Sequence, residues 1–149
     1  MDKIKLVSTK KDHYRLLLND VDVMGEQERS VFRHIKKLDT IFSIYIRRRY
    51  AKDDISECVT CGKQAHWKEL QAGHFMSRKH YATRWDETNV GVQCMGCNVY
   101  RYGEQYKFSK YLGKKTSDEL LFKSRQTIKF SNFELEELII KYKNLVDIL

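Results

Sequence analysis

Apolar residues recur along this chain mostly at three- and four-residue steps, with short alternating stretches between them. Phe32, Ile35, Leu38, Ile41, Phe42, Tyr45 and Ile46 keep the helical step, and Ser30 stands where a capping hydroxyl would start that helix. Near the C-terminus Leu135, Leu138, Ile139, Tyr142, Leu145, Val146 and Leu149 repeat the pattern behind Ser131-x-x-Glu134, a capping box. Thr116-x-x-Glu119 is a second capping box and predicts a shorter helix before it. Another helix is expected from about Asn98 to Leu112, with Phe108, Tyr111 and Leu112 buried and Gly113 as its stop. Short strands are expected at residues 67–72 and 90–93. In residues 3–23, Ile4/Leu6 and Tyr14/Leu16/Leu18 alternate around Asn19-Asp20, which fits either a small hairpin or a helix over 11–18.

The pattern predicts an α+β chain that is mainly helical. Its 149 residues contain no proline and no low-complexity linker, so residues 1–149 read as a single domain. Within it lie an N-terminal segment with a basic helix (1–57), a central core (58–113) and C-terminal helices (114–149). The C-terminal apolar stripe suits packing on the domain's own core, with a homodimer contact as the alternative.

Charge narrows the choice of partner. The net charge is +8, and residues 58–115 hold 10 basic against 4 acidic side chains, while the C-terminal tail is balanced. A local excess of that kind favours a polyanion. No apolar run approaches the roughly 20 residues that cross a bilayer, and Met1–Lys5 lacks a signal-peptide core, so the expectation is a cytoplasmic protein with no membrane partner. Arg47, Arg48 and Arg49 end the predicted basic helix; they suit its dipole, or contact with phosphates.

All four cysteines fall in two C-x-x-C pairs, Cys58/Cys61 and Cys94/Cys97. In a reducing compartment such a doubled pair reads as a closed four-thiolate zinc site, structural rather than catalytic. Its metal would tie the segment before His74 to the segment after Asn89. His13, His34, His66 and His80 have no special context. His74 has one, because it follows Gly73 between the cysteine pairs, with Asn89 ahead of the return strand and Asn98 directly after Cys97.

The order His, Asn, Cys-x-x-Cys-Asn over residues 58–104 resembles the HNH, or ββα-metal, nucleases, with a four-cysteine site similar to that of the endonuclease VII type. A nearer resemblance covers about residues 30–113 and is to the phage NinG family, also called Rap recombination endonucleases. It rests on Leu38-Asp39-Thr40-Ile41-Phe42-Ser43-Ile44-Tyr45-Ile46-Arg47, Gln71-Ala72-Gly73-His74-Phe75, Arg84-Trp85-Asp86-Glu87-Thr88-Asn89-Val90 and Gln93-Cys94-Met95-Gly96-Cys97-Asn98.

The resemblance implies a zinc-stapled ββα-metal core flanked by N- and C-terminal helices. It also implies a metal-dependent, structure-selective endonuclease acting on branched recombination DNA such as a Holliday junction or D-loop, in the host-cell cytoplasm if phage-encoded. His74 would then be the general base, Asn89 would orient the ring or brace its loop, and Asn98 would bind Mg²⁺ or Mn²⁺. Arg78, Lys79, Arg84, Arg101 and Lys107 would join Arg47–Arg49 in holding DNA.

One position departs from the pattern. Where these nucleases place a cation-binding aspartate or histidine, this chain has Gly73, so Glu104 or Asp86 is expected to complete the cation's shell, with Glu87 and His80 as further candidates. The same gap leaves a second reading open, a catalytically decayed zinc-containing DNA-binding accessory protein of recombination.

Overall fold

The computed structural model describes residues 25–149, so the hairpin-or-helix choice for residues 3–23 lies outside the described residues. The architecture is α+β. Helix α1 (Glu26–Arg48) is followed by a small antiparallel pair, β1 (Ile55–Glu57) and β2 (Gln64–His66), then by strand β3 (Gln71–His74). A short helix α2 (Tyr81–Arg84) leads to β4 (Val90–Gln93), which returns antiparallel to β3, with Gly73 opposite Gly91 and Gln71 opposite Gln93. Helices α3 (Gln105–Leu112), α4 (Lys114–Ser124) and α5 (Asn132–Asp147) complete the chain.

The long helix is the common wall. Leu38, Phe42 and Ile46 on α1 share one buried cluster with Leu70 just before β3, with Val90 and Val92 of β4, and with Leu135, Ile139 and Tyr142 of α5. Phe42 meets Tyr142 edge-on at 4.8 Å between ring centres. Each such buried side chain contributes about 1.5–3 kcal/mol by leaving water, so this shared seam is the main cohesive force. The α5 stripe thus packs on the chain's own core. Its last member, Leu149, is exposed, as is Phe32 at the start of the α1 stripe.

A polar knot crosses the same seam. Glu87 accepts hydrogen bonds from Tyr45 Oη on α1 and Tyr142 Oη on α5, both at 3.1 Å, and from Arg49 at 3.3 Å. Arg49 also donates to the carbonyls of Glu87 and Val90. Burial and the neighbouring Glu87 carboxylate together push the Tyr142 hydroxyl pKa up, so it stays a donor.

Several expected boundaries move, each for a local reason. The first helix begins at Glu26, one turn before Ser30: the Glu28 carboxylate turns back to the Gly25 N–H at 3.3 Å, so Ser30 lies inside the helix and caps nothing. Residues 67–69 form a tight 3₁₀ turn instead of a strand, because Trp67 is tied to Asp54 by its backbone N–H (2.9 Å) and its indole N–H (3.1 Å). Strand β3 starts only at Gln71.

The helix expected over 98–112 is broken in two. A wide turn of π type covers Gly96–Tyr100, and α3 starts afresh at Gln105. Tyr102, Gly103 and Glu104 between them all take positive φ, which an α-helix does not allow. Tyr111, expected inside, is exposed, while Phe108 is buried. Gly113, at φ +79°, stops α3 and at once begins α4, so Thr116 is interior to α4 rather than its cap. At α5 the expected box forms, with Ser131 Oγ accepting from Glu134 N at 3.2 Å and the Glu134 carboxylate returning to Ser131 N at 2.8 Å.

Candidate functional site

The four cysteines come together as their spacing implies. Their Sγ atoms all lie within 4.8 Å of one another, and Cys61 and Cys94 are 3.7 Å apart. Thiolates at about 2.3 Å from a tetrahedral zinc sit about 3.8 Å from each other, so the donor set fits that ion. Burial would raise the Cys58 pKa, but hydrogen bonds from Thr60 and from backbone N–H groups bring it down to about 6. Cys61 accepts a backbone hydrogen bond from Lys63 that favours its thiolate, yet burial and the adjoining thiols push it up to about 12. Four thiols so close cannot all ionise unless a cation balances them. The cluster joins the turn before β2 to the end of β4, reinforced by Val59 N–H donating to the Val92 carbonyl at 2.9 Å. Among the described residues no other group of three or more cysteine, histidine or carboxylate side chains converges in this way.

A cleft of about 550 Å³ opens between α1, β3 and the π turn, lined by Asp39, Arg47, Lys68, Gln71, His74, Arg78 and Asn98 among others. The structure therefore brings His74 and Asn98 to one cavity. His74 ends β3, and its Nε2 lies 3.0 Å from the Arg84 carbonyl oxygen. A carbonyl can only accept, so Nε2 carries the proton and Nδ1 is the basic nitrogen of the neutral ring. Burial lowers the His74 pKa; the Arg84 carbonyl opposes this, the Arg78 charge lowers it further, and Asp39 and the Ala72 carbonyl act upward. The net direction is down, which keeps the ring neutral around pH 7.

Asn89 is fully buried and does not reach that ring. Its Oδ1 accepts from Met76 N at 2.7 Å, and its Nδ2 donates to the carbonyls of Met76 and Thr83 at 2.9 Å each. It fastens the loop that follows His74, the bracing arrangement of the two expected for it. Asn98 Nδ2 donates to Gln71 Oε1 at 2.7 Å, which turns its own Oδ1 away as a separate acceptor.

Neither carboxylate expected to replace the one missing at Gly73 lines this cleft. Asp86 is held by Lys123 at 2.5 Å and by Thr88 through Oγ1 at 2.7 Å and N at 3.0 Å. Burial alone would raise its pKa, but these donors outweigh burial and lower it. Glu104 stands at the start of α3, paired with Arg101 at 2.5 Å and Lys107 at 3.3 Å. Glu87 belongs to the polar knot described above.

The reason for Gly73 is also visible. A Cβ there would fall 2.0 Å from Gln93 Oε1, and Gln93 is buried with its Nε2 fixed to Thr60 Oγ1 and the Gly103 carbonyl. No side chain fits at that position while Gln93 occupies it.

The basic residues expected on DNA divide into two groups. Arg84 is clamped by Asp39 in a bidentate pair at 3.0 and 2.6 Å, and that hydrogen-bonded pairing raises its pKa. Arg49 is held inside the Glu87 knot. Arg47 reaches the carbonyls of Trp67 and Leu70 at 3.3 Å while still lining the cleft. Arg101 donates to Cys97 Sγ at 2.9 Å, and Lys107 shares Glu104 with it. Arg48 lies over the Trp67 ring at 5.5 Å. Arg78, at the cleft, and Lys79 beside it are exposed; the Arg78 carbonyl accepts from Arg84 at 2.8 Å, but neither cationic group has a hydrogen-bond or ion-pair partner among the described residues.

Sequence reasoning assigned no role to Asp39, Lys68 or Gln71. The strand register could have found Gln71, since pairing it with Gln93 sets it one step from the second cysteine pair. Nothing local marks Asp39, whose partner Arg84 is 45 residues away.

Fold and site together define an α+β domain stapled by a four-cysteine cluster suited to zinc, with a histidine and two amides at one basic cleft. Residues 22–149 match the family described as Bacteriophage Lambda NinG protein, and the chain belongs to that family. Comparison with curated proteins and with solved structures gave no match. No helix among the described residues is long and apolar enough to cross a membrane.

Proposed function

We propose that this chain is a metal-dependent DNA endonuclease of the HNH type that hydrolyses phosphodiesters in branched recombination intermediates. The observation that carries the reading is the setting of His74: Nε2–H is donated to the Arg84 carbonyl, which leaves Nδ1 as the ring's basic nitrogen, and His74 lines one cleft with Asn98. In that role His74 takes a proton from the attacking water, and its lowered pKa keeps the ring ready at neutral pH.

Asn98 Oδ1, the acceptor left over when its Nδ2 donates to Gln71, would hold a hard cation such as Mg²⁺ or Mn²⁺, which when bound stabilises the charge that develops on the phosphate. It is a neutral oxygen donor, so it fits a cation that also takes water and substrate phosphate as ligands. Arg78 and Lys68 supply the positive charge that draws the backbone into the cleft. The cysteine cluster acts as the scaffold, with zinc setting the π turn and its Asn98 against β3.

A second reading has its own support. The side of β3 at Gly73 is filled by Gln93, and the carboxylate that does line the cleft, Asp39, is taken by Arg84 and by the Trp85 indole at 2.9 Å. A DNA-binding accessory protein without cleavage chemistry fits those facts. Incubating a labelled four-way junction with the zinc-loaded protein and Mg²⁺ or Mn²⁺ separates the two. Nicked arms support the endonuclease; salt-sensitive binding with no strand cut in either metal supports the accessory protein.

A further inference from the structure

Directly after Asn98 the chain runs Val99-Tyr100-Arg101-Tyr102-Gly103-Glu104, and two phenol rings stand out from its surface. Tyr100 is 71% exposed and Tyr102 is 88% exposed. Large aromatic rings usually bury most of their area. Neither phenol has a side-chain hydrogen bond or a ring contact among the described residues.

The backbone beneath them is held in a strained form. Tyr102, Gly103 and Glu104 take φ of 51°, 82° and 49°, and two of the three are not glycine. The strain is fixed from the interior. Gly103 N–H donates to the Cys97 carbonyl at 2.9 Å, and the buried Gln93 amide donates to the Gly103 carbonyl at 2.9 Å. The turn is thus anchored to the second cysteine pair, which fixes the backbone from which the two rings project.

Location and charge indicate what such rings would meet. Asn98 and Val99 line the cleft that holds His74, and Tyr100 is the next residue along. The unpaired Arg78 and the neighbouring Lys68 make that cleft basic. An exposed aromatic surface bordering a cationic groove is the arrangement that binds single strands: the groove follows phosphates, and the rings stack on bases. In continuous duplex both faces of every internal base are already covered, so only unpaired or displaced bases can use the rings.

We propose that Tyr100 and Tyr102 form a stacking platform for unpaired nucleobases, and that this platform makes the surface prefer DNA with single-stranded or splayed nucleotides over continuous duplex. The proposal rests on the endonuclease reading only in taking the adjoining cleft as the path of the DNA backbone.

The test uses the full chain loaded with zinc, without added Mg²⁺ or Mn²⁺, and follows fluorescence anisotropy. The probes are a Y-fork with two single-stranded arms and a blunt duplex of equal nucleotide count. One double variant carries Tyr100→Ala and Tyr102→Asn, asparagine being a residue that tolerates positive φ. The other carries Tyr100→Phe and Tyr102→Phe.

The first should weaken fork binding about tenfold, the loss of roughly one stacked base, while the second stays within about twofold of wild type and duplex affinity holds in both. Equal weakening on fork and duplex, or an unchanged fork Kd in the first variant, overturns the platform; so does a wild-type protein that binds both probes alike. If the first variant loses zinc, Tyr100→Ala alone, outside the strained turn, gives the same comparison. Cleavage by wild type is scored separately. Fork-selective loss in a protein that never cuts upholds the platform and removes the endonuclease.

Discussion

His74 Nε2 meets the carbonyl oxygen of Arg84 at 3.0 Å, and the Arg84 side chain is itself clamped to Asp39 on the long helix. The ring's tautomer is therefore set by a backbone atom whose position depends on an ion pair 45 residues apart in sequence. Helix α1 reaches the His74 ring through this clamp, although it contributes no atom to the proposed proton transfer.

Asp39→Asn tests the clamp. Losing the charged hydrogen bonds to Arg84 should cost about 2 kcal/mol of stability, read from urea unfolding. Cleavage should slow by about tenfold with DNA affinity retained, because the base is less well held rather than removed. The pH profile separates this from general loosening. Asp39 raises the His74 pKa, so its neutralisation should move the acid limb to lower pH. An acid limb that stays in place would make Asp39 a stability residue only.

The direction of the His74 shift fixes a pH dependence. Its pKa is below the ordinary 6.5, chiefly through burial. Cleavage should thus be level near neutrality and decline only once the pH falls beneath 6.5. Stability has the same sign. The unfolded histidine binds its proton at higher pH than the folded one, so unfolding free energy falls as pH drops through 6.5 toward the folded value. A rate profile centred above 6.5 would contradict the buried, neutral ring.

Gly73→Ala should destabilise the chain by about 1–3 kcal/mol, since the new methyl would lie 2.0 Å from Gln93 Oε1. Pairing it with Gln93→Ala should recover part of the loss, a coupling that a thermal-unfolding double-mutant cycle reads directly. Gly73→Asp should likewise lower stability and add no cleavage, because its carboxylate has no room on that face. Enhanced cutting by Gly73→Asp would show that the cation shell is open there after all.

What the sequence revealed depended on how local each signal was. The helical steps of Leu38, Phe42 and Ile46, the Ser131 capping box and the two cysteine pairs are short-range patterns, and they reappear in the structure. Strand β4 did too. The helix expected across 98–112 failed because its break depends on Gln93 and Cys97 gripping Gly103, contacts with no trace in the local spacing. Asp86 and Glu104 looked available as cation ligands for the same reason. Their partners Lys123, Arg101 and Lys107 are visible in the sequence, but which of them each carboxylate meets is decided by the fold. A triplet of arginines likewise cannot show that Arg49 turns inward to Glu87 while Arg48 lies over Trp67.

Removing the metal should affect the fold as a whole. One zinc per chain is expected by elemental analysis, and Cys94→Ser should abolish it. A strong chelator should lower the melting temperature and release the π turn that carries Asn98, because structural zinc energy is folding energy in such clusters. An unchanged melting curve after complete metal removal would mean that the helical seam alone maintains the site.

If His74 is the base of a cutting site, single-turnover cleavage of a four-way junction will depend on it. Wild type and His74→Ala are compared in Mn²⁺, with DNA affinity measured on the same samples. Wild type should cut the strands, and His74→Ala should lose about 10²–10⁴-fold in rate at near-equal affinity. Equal cleavage by the two proteins would rule His74 out as the base.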